Sequence, residues 1–133
     1  MSNFNPSKRP LRRPPPEPSH KEINAKLKLF LQQLAADEVP LADPDKFRRD
    51  QELLGLNSTY EVLALIHAMK DEIKAEHYCP PHVRKKSYDL GDAPMYDFAW
   101  ESAHRAERMY LKFAVVSEQS YLVSCHPDKP ELR

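Results

Sequence analysis

The sequence predicts an α+β fold, with N-terminal helices packed on one face of an antiparallel sheet of three strands or slightly more. Three observations carry this expectation. Between residues 23 and 73 the large apolar side chains recur at helical spacing behind two capping boxes. From residue 95 onward the apolar period shortens to two. Helical pattern precedes strand pattern with no internal repeat, so residues 19–133 read as a single domain.

Ser19 with Glu22 forms the first capping box, and Ile23, Leu27, Phe30, Leu31 and Leu34 follow on one helical face, predicting a helix from about His20 to Ala36. Asp43-Pro44 marks a turn, after which Asp45 to Leu54 reads as a short helix ended by Gly55. Ser58 with Glu61 repeats the box. Val62, Leu63, Leu65, Ile66, Met69 and Ile73 then extend an apolar stripe, predicting a second long helix from Thr59 to about Glu76, before Pro80-Pro81 prevents continuation. Tyr96, Phe98 and Trp100 alternate with Met95, Asp97 and Ala99 as in a strand; Glu107–Val116 and Ser120–His126 read as two more.

The 133 residues carry 20 Lys and Arg against 20 Asp and Glu, but unevenly. Residues 1–21 hold five cations and one anion, residues 22–78 seven and eleven, and residues 79–133 eight and eight. The first 18 residues contain six prolines and only Phe4 and Leu11 as large apolar groups, too little to offset ordering entropy. They read as a disordered, basic, Pro-rich tail with polyproline II character at Arg13–Pro18, either an arm for nucleic acid or a partner, or a solubilising segment. A neutral total excludes a uniformly basic nucleic-acid coat but not a local basic site. No apolar run approaches the length of a membrane span, and the first 30 residues lack the apolar core of a secretory leader, so a cytoplasmic protein without membrane partners is expected. Cys79 and Cys125 are too few for a disulfide scaffold.

Hairpin geometry singles out candidate residues. With Ser117-Glu118-Gln119 as a three-residue loop, Leu111, Phe113 and Val115 oppose Cys125, Val123 and Tyr121 on one face. Tyr110, Lys112 and Ala114 then oppose His126, Ser124 and Leu122 on the other. A two-residue loop puts His126 opposite Leu111 and mixes polar with apolar residues, so segregation favours the longer loop. Tyr110, Lys112, Ser124 and His126 on one open face suit phosphodiester chemistry. His126 can move a proton near neutral pH, Lys112 can neutralise charge on a phosphate, and Tyr110 can donate a hydrogen bond or stack on a base. The same four residues also fit an ordinary solvated sheet face. His77, Cys79 and His82, with Cys125-His126, invite comparison with a zinc site, but His-x-Cys-x2-His is not a standard zinc spacing, so no metal or other cofactor is expected.

Leu54-Gly55-Leu56, the helix end Ile73-Lys74-Ala75-Glu76-His77-Tyr78, the strand Met95-Tyr96-Asp97-Phe98-Ala99-Trp100, the segment Met109-Tyr110-Leu111-Lys112-Phe113-Ala114-Val115 and Val123-Ser124-Cys125-His126 occur in an order that resembles the MqsR family of toxin mRNA interferases, within the RelE-like superfold. The resemblance covers about residues 19–129. It implies a metal-independent endoribonuclease that cleaves mRNA, inhibits translation and is held inactive by a cognate antitoxin. On this resemblance the family's tyrosine falls on Tyr110 and its helix-end lysine on Lys74. The basic residue closing the last strand is His126 here, where the best-known members have lysine, and the polar residue of the aromatic strand, often glutamine, is Asp97. Catalysis would then rest on Tyr110, His126, Lys74 and Lys112, and RNA contact on Arg84, Lys85, Lys86, Asp97 and Ser124. The alternative is a non-catalytic α+β adaptor whose acidic helical half holds a basic partner.

Overall fold

The computed structural model describes residues 18–80 and 93–129. Nearly all of the expected N-terminal tail, and Arg84, Lys85 and Lys86, lie outside the described residues.

Helix α1 (His20–Ala35) starts where its capping box places it, with the Ser19 hydroxyl accepting the Glu22 N–H at 3.2 Å. It buries Ile23, Leu27, Phe30 and Leu34. Helix α2 (Pro44–Leu53) is capped by the Asp43 carboxylate, which accepts the Lys46 N–H, and has Pro44 in its first turn, where no N–H is missed. Its end is a Schellman motif, with Leu56 N–H on Gln51 O and Gly55 N–H on Glu52 O, and Gly55 supplies the required φ of 71°. Helix α3 (Thr59–Ala68) is capped by Ser58, whose hydroxyl accepts the Glu61 N–H.

The second long helix expected to reach Glu76 stops at Ala68 instead. Two 3-10 turns follow, Lys70–Glu72 and Ala75–His77, separated by extended Ile73 and Lys74. A long-range demand breaks the helix: the Glu72 carboxylate accepts hydrogen bonds from Trp100 Nε1 (3.1 Å), Ser102 Oγ (2.7 Å) and His104 N–H (2.9 Å). Met69 and Ile73 nevertheless stay in the core, so the apolar stripe persists while the backbone changes form.

Strands β1 (Tyr78–Cys79), β2 (Met95–Ser102), β3 (Glu107–Val116) and β4 (Gln119–Pro127) form an antiparallel sheet in the order β1-β2-β3-β4. The helices cover one face. There Tyr96, Phe98, Trp100, Met109, Leu111, Phe113, Leu122 and Cys125 join the buried side chains of α1, α2 and α3 in one core. Phe30 of α1 stacks on Phe113 with ring centroids 4.4 Å apart and planes 7° off parallel, and Phe113 stacks in turn with Tyr96 and Phe98.

The last hairpin differs from the expected three-residue loop. Its turn is Ser117-Glu118 alone, with φ of 47° and 65°, and Val116 pairs with Gln119. Phe113, Ala114 and Val115 therefore face Leu122, Tyr121 and Ser120, so Leu122 lies in the core and Tyr121 on the opposite face. A bulge at Val123 restores the expected pairs beyond it, Lys112 with Ser124, Leu111 with Cys125 and Tyr110 with His126. The bulge has a steric reason. Leu122 and Cys125 are both wholly buried, yet residues three apart on a regular strand point to opposite faces, so one extra residue must intervene. The outer edge of β4 is engaged as well: Leu122 donates to Pro40 O and accepts from Ala42 N–H, forming a bridge to Leu41. No helix among the described residues is long and apolar enough to cross a membrane.

Candidate active site on the sheet face

Strand alternation places Asp97 of β2, Tyr110 and Lys112 of β3, and Ser124 and His126 of β4 on the face away from the helices. Asp97 pairs across the ladder with Lys112, and Tyr110 with His126; β1 brings Cys79 opposite Asp97. Alternation suggests an open polar surface, but Asp97 is only 5% exposed and His126 8%. These are largely desolvated groups, which raises the importance of every partner they have.

The Tyr110 hydroxyl donates to Asp97 Oδ2, and Lys112 Nζ lies 3.5 Å from the same oxygen. Burial, with the Asp97 charge and its hydrogen bond adding to it, pushes the Tyr110 phenol well above its ordinary value. Tyr110 is therefore a proton-bearing donor, not a base. The His126 ring tilts 33° against that of Tyr110, with centroids 5.1 Å apart. Its Nδ1 lies 2.8 Å from Pro127 O. A carbonyl oxygen can only accept, so Nδ1 carries the proton, and Nε2 is the nitrogen left for proton transfer in the neutral ring.

Ser124 joins the face by register, but its hydroxyl donates to Asp50 Oδ2 at 2.6 Å, and the Cys125 N–H donates to the same oxygen at 2.9 Å. Asp50 thereby fastens α2 to β4. Lys74 stands elsewhere: it lines a groove with Asn24, Leu27, Lys28 and Leu31 of α1, on the helical side of the sheet. The structure thus gathers Tyr110, Lys112, His126 and Asp97 on one face, ties the Ser124 hydroxyl to α2 and leaves Lys74 out. Cys125 is fully buried on the core side, where burial raises its thiol well above the usual range, so it is no nucleophile. His77 Nδ1 accepts the Lys74 N–H at 2.9 Å, His82 lies outside the described residues, and among the described residues no three His, Cys, Asp or Glu side chains are placed to hold a metal.

Cations and carboxylates are paired along this face. Arg108 Nε donates to Asp128 Oδ2 at 2.8 Å, and Arg108 also lies 3.6 Å from Glu101. Sequence reasoning missed Asp50 and Asp128, and weighed Cys79 only as a zinc ligand. Asp50 left a signal, because it shares the inward face of α2 with Phe47 and Leu54, and a carboxylate in an apolar stripe needs a buried partner. Asp128 left none, and Cys79 none that pointed to this face, since only tertiary pairing brings them there. Fold and site together define a small α+β domain with a partly buried Asp-Tyr-Lys-His cluster on its non-helical sheet face. Comparison of the chain with protein-family models, curated proteins and solved structures found no match.

Proposed function

We propose that the protein is a metal-independent endoribonuclease of the mRNA-interferase type, acting as the toxin of a cytoplasmic toxin-antitoxin pair. One observation carries this reading: the pairing of Tyr110 with His126, which sets a proton-bearing phenol beside an imidazole whose Nε2 is left for proton transfer. Its partners would be mRNA and a cognate antitoxin, as the resemblance to the MqsR family implies. His126 Nε2 takes the proton of the RNA 2′-hydroxyl, the O2′–P bond forms as the P–O5′ bond breaks, and water protonates the departing 5′-oxygen. Tyr110 and Lys112 stabilise charge gathering on the phosphoryl oxygens. The products are a 2′,3′-cyclic phosphate and a 5′-hydroxyl. Lys74 has no part in this set.

His126→Ala should lower the cleavage rate of a model RNA about 10²- to 10⁴-fold. Digestion in the presence of a chelator, with the termini read by mass spectrometry, checks the reaction. Induced expression should stop growth and deplete intact mRNA, and His126→Ala or Tyr110→Phe should relieve both. Failure of the folded wild-type protein to cut RNA would sink the proposal. It would favour the second reading, a non-catalytic partner-binding protein, which the pairing of Lys112 and Arg108 with carboxylates supports.

A further inference from the structure

We propose that Asp97 is an internal anion that occupies the phosphate position of this site and competes with RNA for it. The inference rests on the ribonuclease reading for the identity of the competing anion, but it stands on geometry of its own. The two donors best suited to a phosphoryl oxygen, the Tyr110 hydroxyl and the Lys112 ammonium, both converge on Asp97 Oδ2. A carboxylate oxygen and a phosphate oxygen ask the same thing of such donors, a charge-assisted hydrogen bond. They cannot share the position, because two anions there would repel each other at close range in a desolvated setting.

The backbone holds this competitor in place. Asp97 is the third residue of β2, paired with Cys79 on one side and Lys112 on the other, and its neighbours Tyr96 and Phe98 are anchored in the aromatic core. Strand β2 cannot swing the carboxylate away without unmaking that core, so displacement takes place by side-chain rotation alone. His126 is outside the contact, its Nδ1 engaged by Pro127 O. The site thus has its proton-transfer group ready and its anion position filled. Entering RNA must drive out a carboxylate that is 5% exposed and already supplied with both donors. This device sets a threshold on RNA affinity.

The test separates binding from cleavage. Affinity for a short, mixed-sequence 2′-O-methyl oligoribonucleotide, which cannot be cut by its own 2′-oxygen, is read by fluorescence anisotropy on the full chain. Asp97→Asn keeps the shape and removes the charge, and should tighten binding about tenfold or more. Asp97→Ser, the second variant should the first fold poorly, should do the same. Adding Lys112→Ala to Asp97→Asn should abolish the gain. Glu101→Gln removes one charge from the same face without touching Tyr110 or Lys112, and should change affinity less than about twofold, the size expected of exposed charge alone. Unchanged or weaker binding by a folded Asp97 variant overturns the proposal, as does an equal gain in Glu101→Gln. Cleavage of unmodified RNA is scored separately. Tighter binding by Asp97→Asn with no cleavage by any variant upholds the internal anion and rejects the nuclease; cleavage by the wild type with no gain in binding does the reverse.

Discussion

Glu72 shows how one side chain can override a helical pattern. Its carboxylate takes hydrogen bonds from Trp100, Ser102 and His104, tying the segment after α3 to the far end of β2 and the turn beyond it. Burial acts to raise its pKa, but the hydrogen bonds from Ser102, the His104 backbone and Trp100 together outweigh burial and hold the carboxyl below its ordinary value. The folded chain therefore binds this proton less readily than the unfolded chain. Its stabilising contribution is complete above the unfolded carboxylate pKa and is lost as pH falls through the lower folded value. Glu72→Gln should cost about 1–2 kcal/mol at neutral pH, since charge-assisted bonds become neutral ones. Urea midpoints of the two proteins should converge as the pH is taken down through the acidic range. A difference that stays constant with pH would mean that the charge on Glu72 is not what matters.

At the level of elements, the helix starts were legible because capping is local: Ser19, Asp43 and Ser58 each receive an N–H three residues on. The helix ends were legible only in part. Gly55 announced the end of α2, but α1 closes with the same Schellman bonds on Asp37, at φ 60°, a residue that tolerates this conformation better than most but less well than glycine. Asp37→Gly should stabilise the fold by about 0.5–1 kcal/mol. Gly55→Ala should destabilise it by about 1 kcal/mol through backbone strain alone, since nothing lies within 4 Å of an added Cβ. Thermal melts of the two variants should therefore shift in opposite directions. The end of α3 and the Val123 bulge were hidden for a shared reason, because each answers to a partner distant in sequence, Glu72 to the β2–β3 connection and Leu122 to Phe113 and the Pro40–Ala42 segment. The candidate site was legible to the extent that its residues lie on the stretch beyond the bulge, where Tyr110 meets His126 and Lys112 meets Ser124. The relation of Lys112 and Tyr110 to Asp97 needed the β2–β3 register, which no turn sequence announces.

For the whole molecule, the helical layer and the sheet meet on a few large contacts. Phe30 is fully buried and stacked on Phe113, and Gln33 Oε1 accepts hydrogen bonds from both the hydroxyl and the N–H of Ser120. Phe30→Ala should cost about 3–5 kcal/mol, the range for truncating a buried aromatic, and equilibrium unfolding in urea measures it. A loss of less than about 1 kcal/mol would mean that the helices are held to the sheet by other means.

The sequential strand order β1-β2-β3-β4 has a kinetic consequence. In such a meander each strand pairs with its neighbour in sequence, so the β3–β4 hairpin closes a turn of only two residues. Attaching the helices closes far longer loops, since Gln33 and Ser120 stand 87 residues apart and Asp50 and Ser124 stand 74 apart. The sheet should therefore assemble early and the helices dock late. On that order, the destabilisation in Phe30→Ala falls mainly on the unfolding limb of the chevron, with the refolding rate little changed.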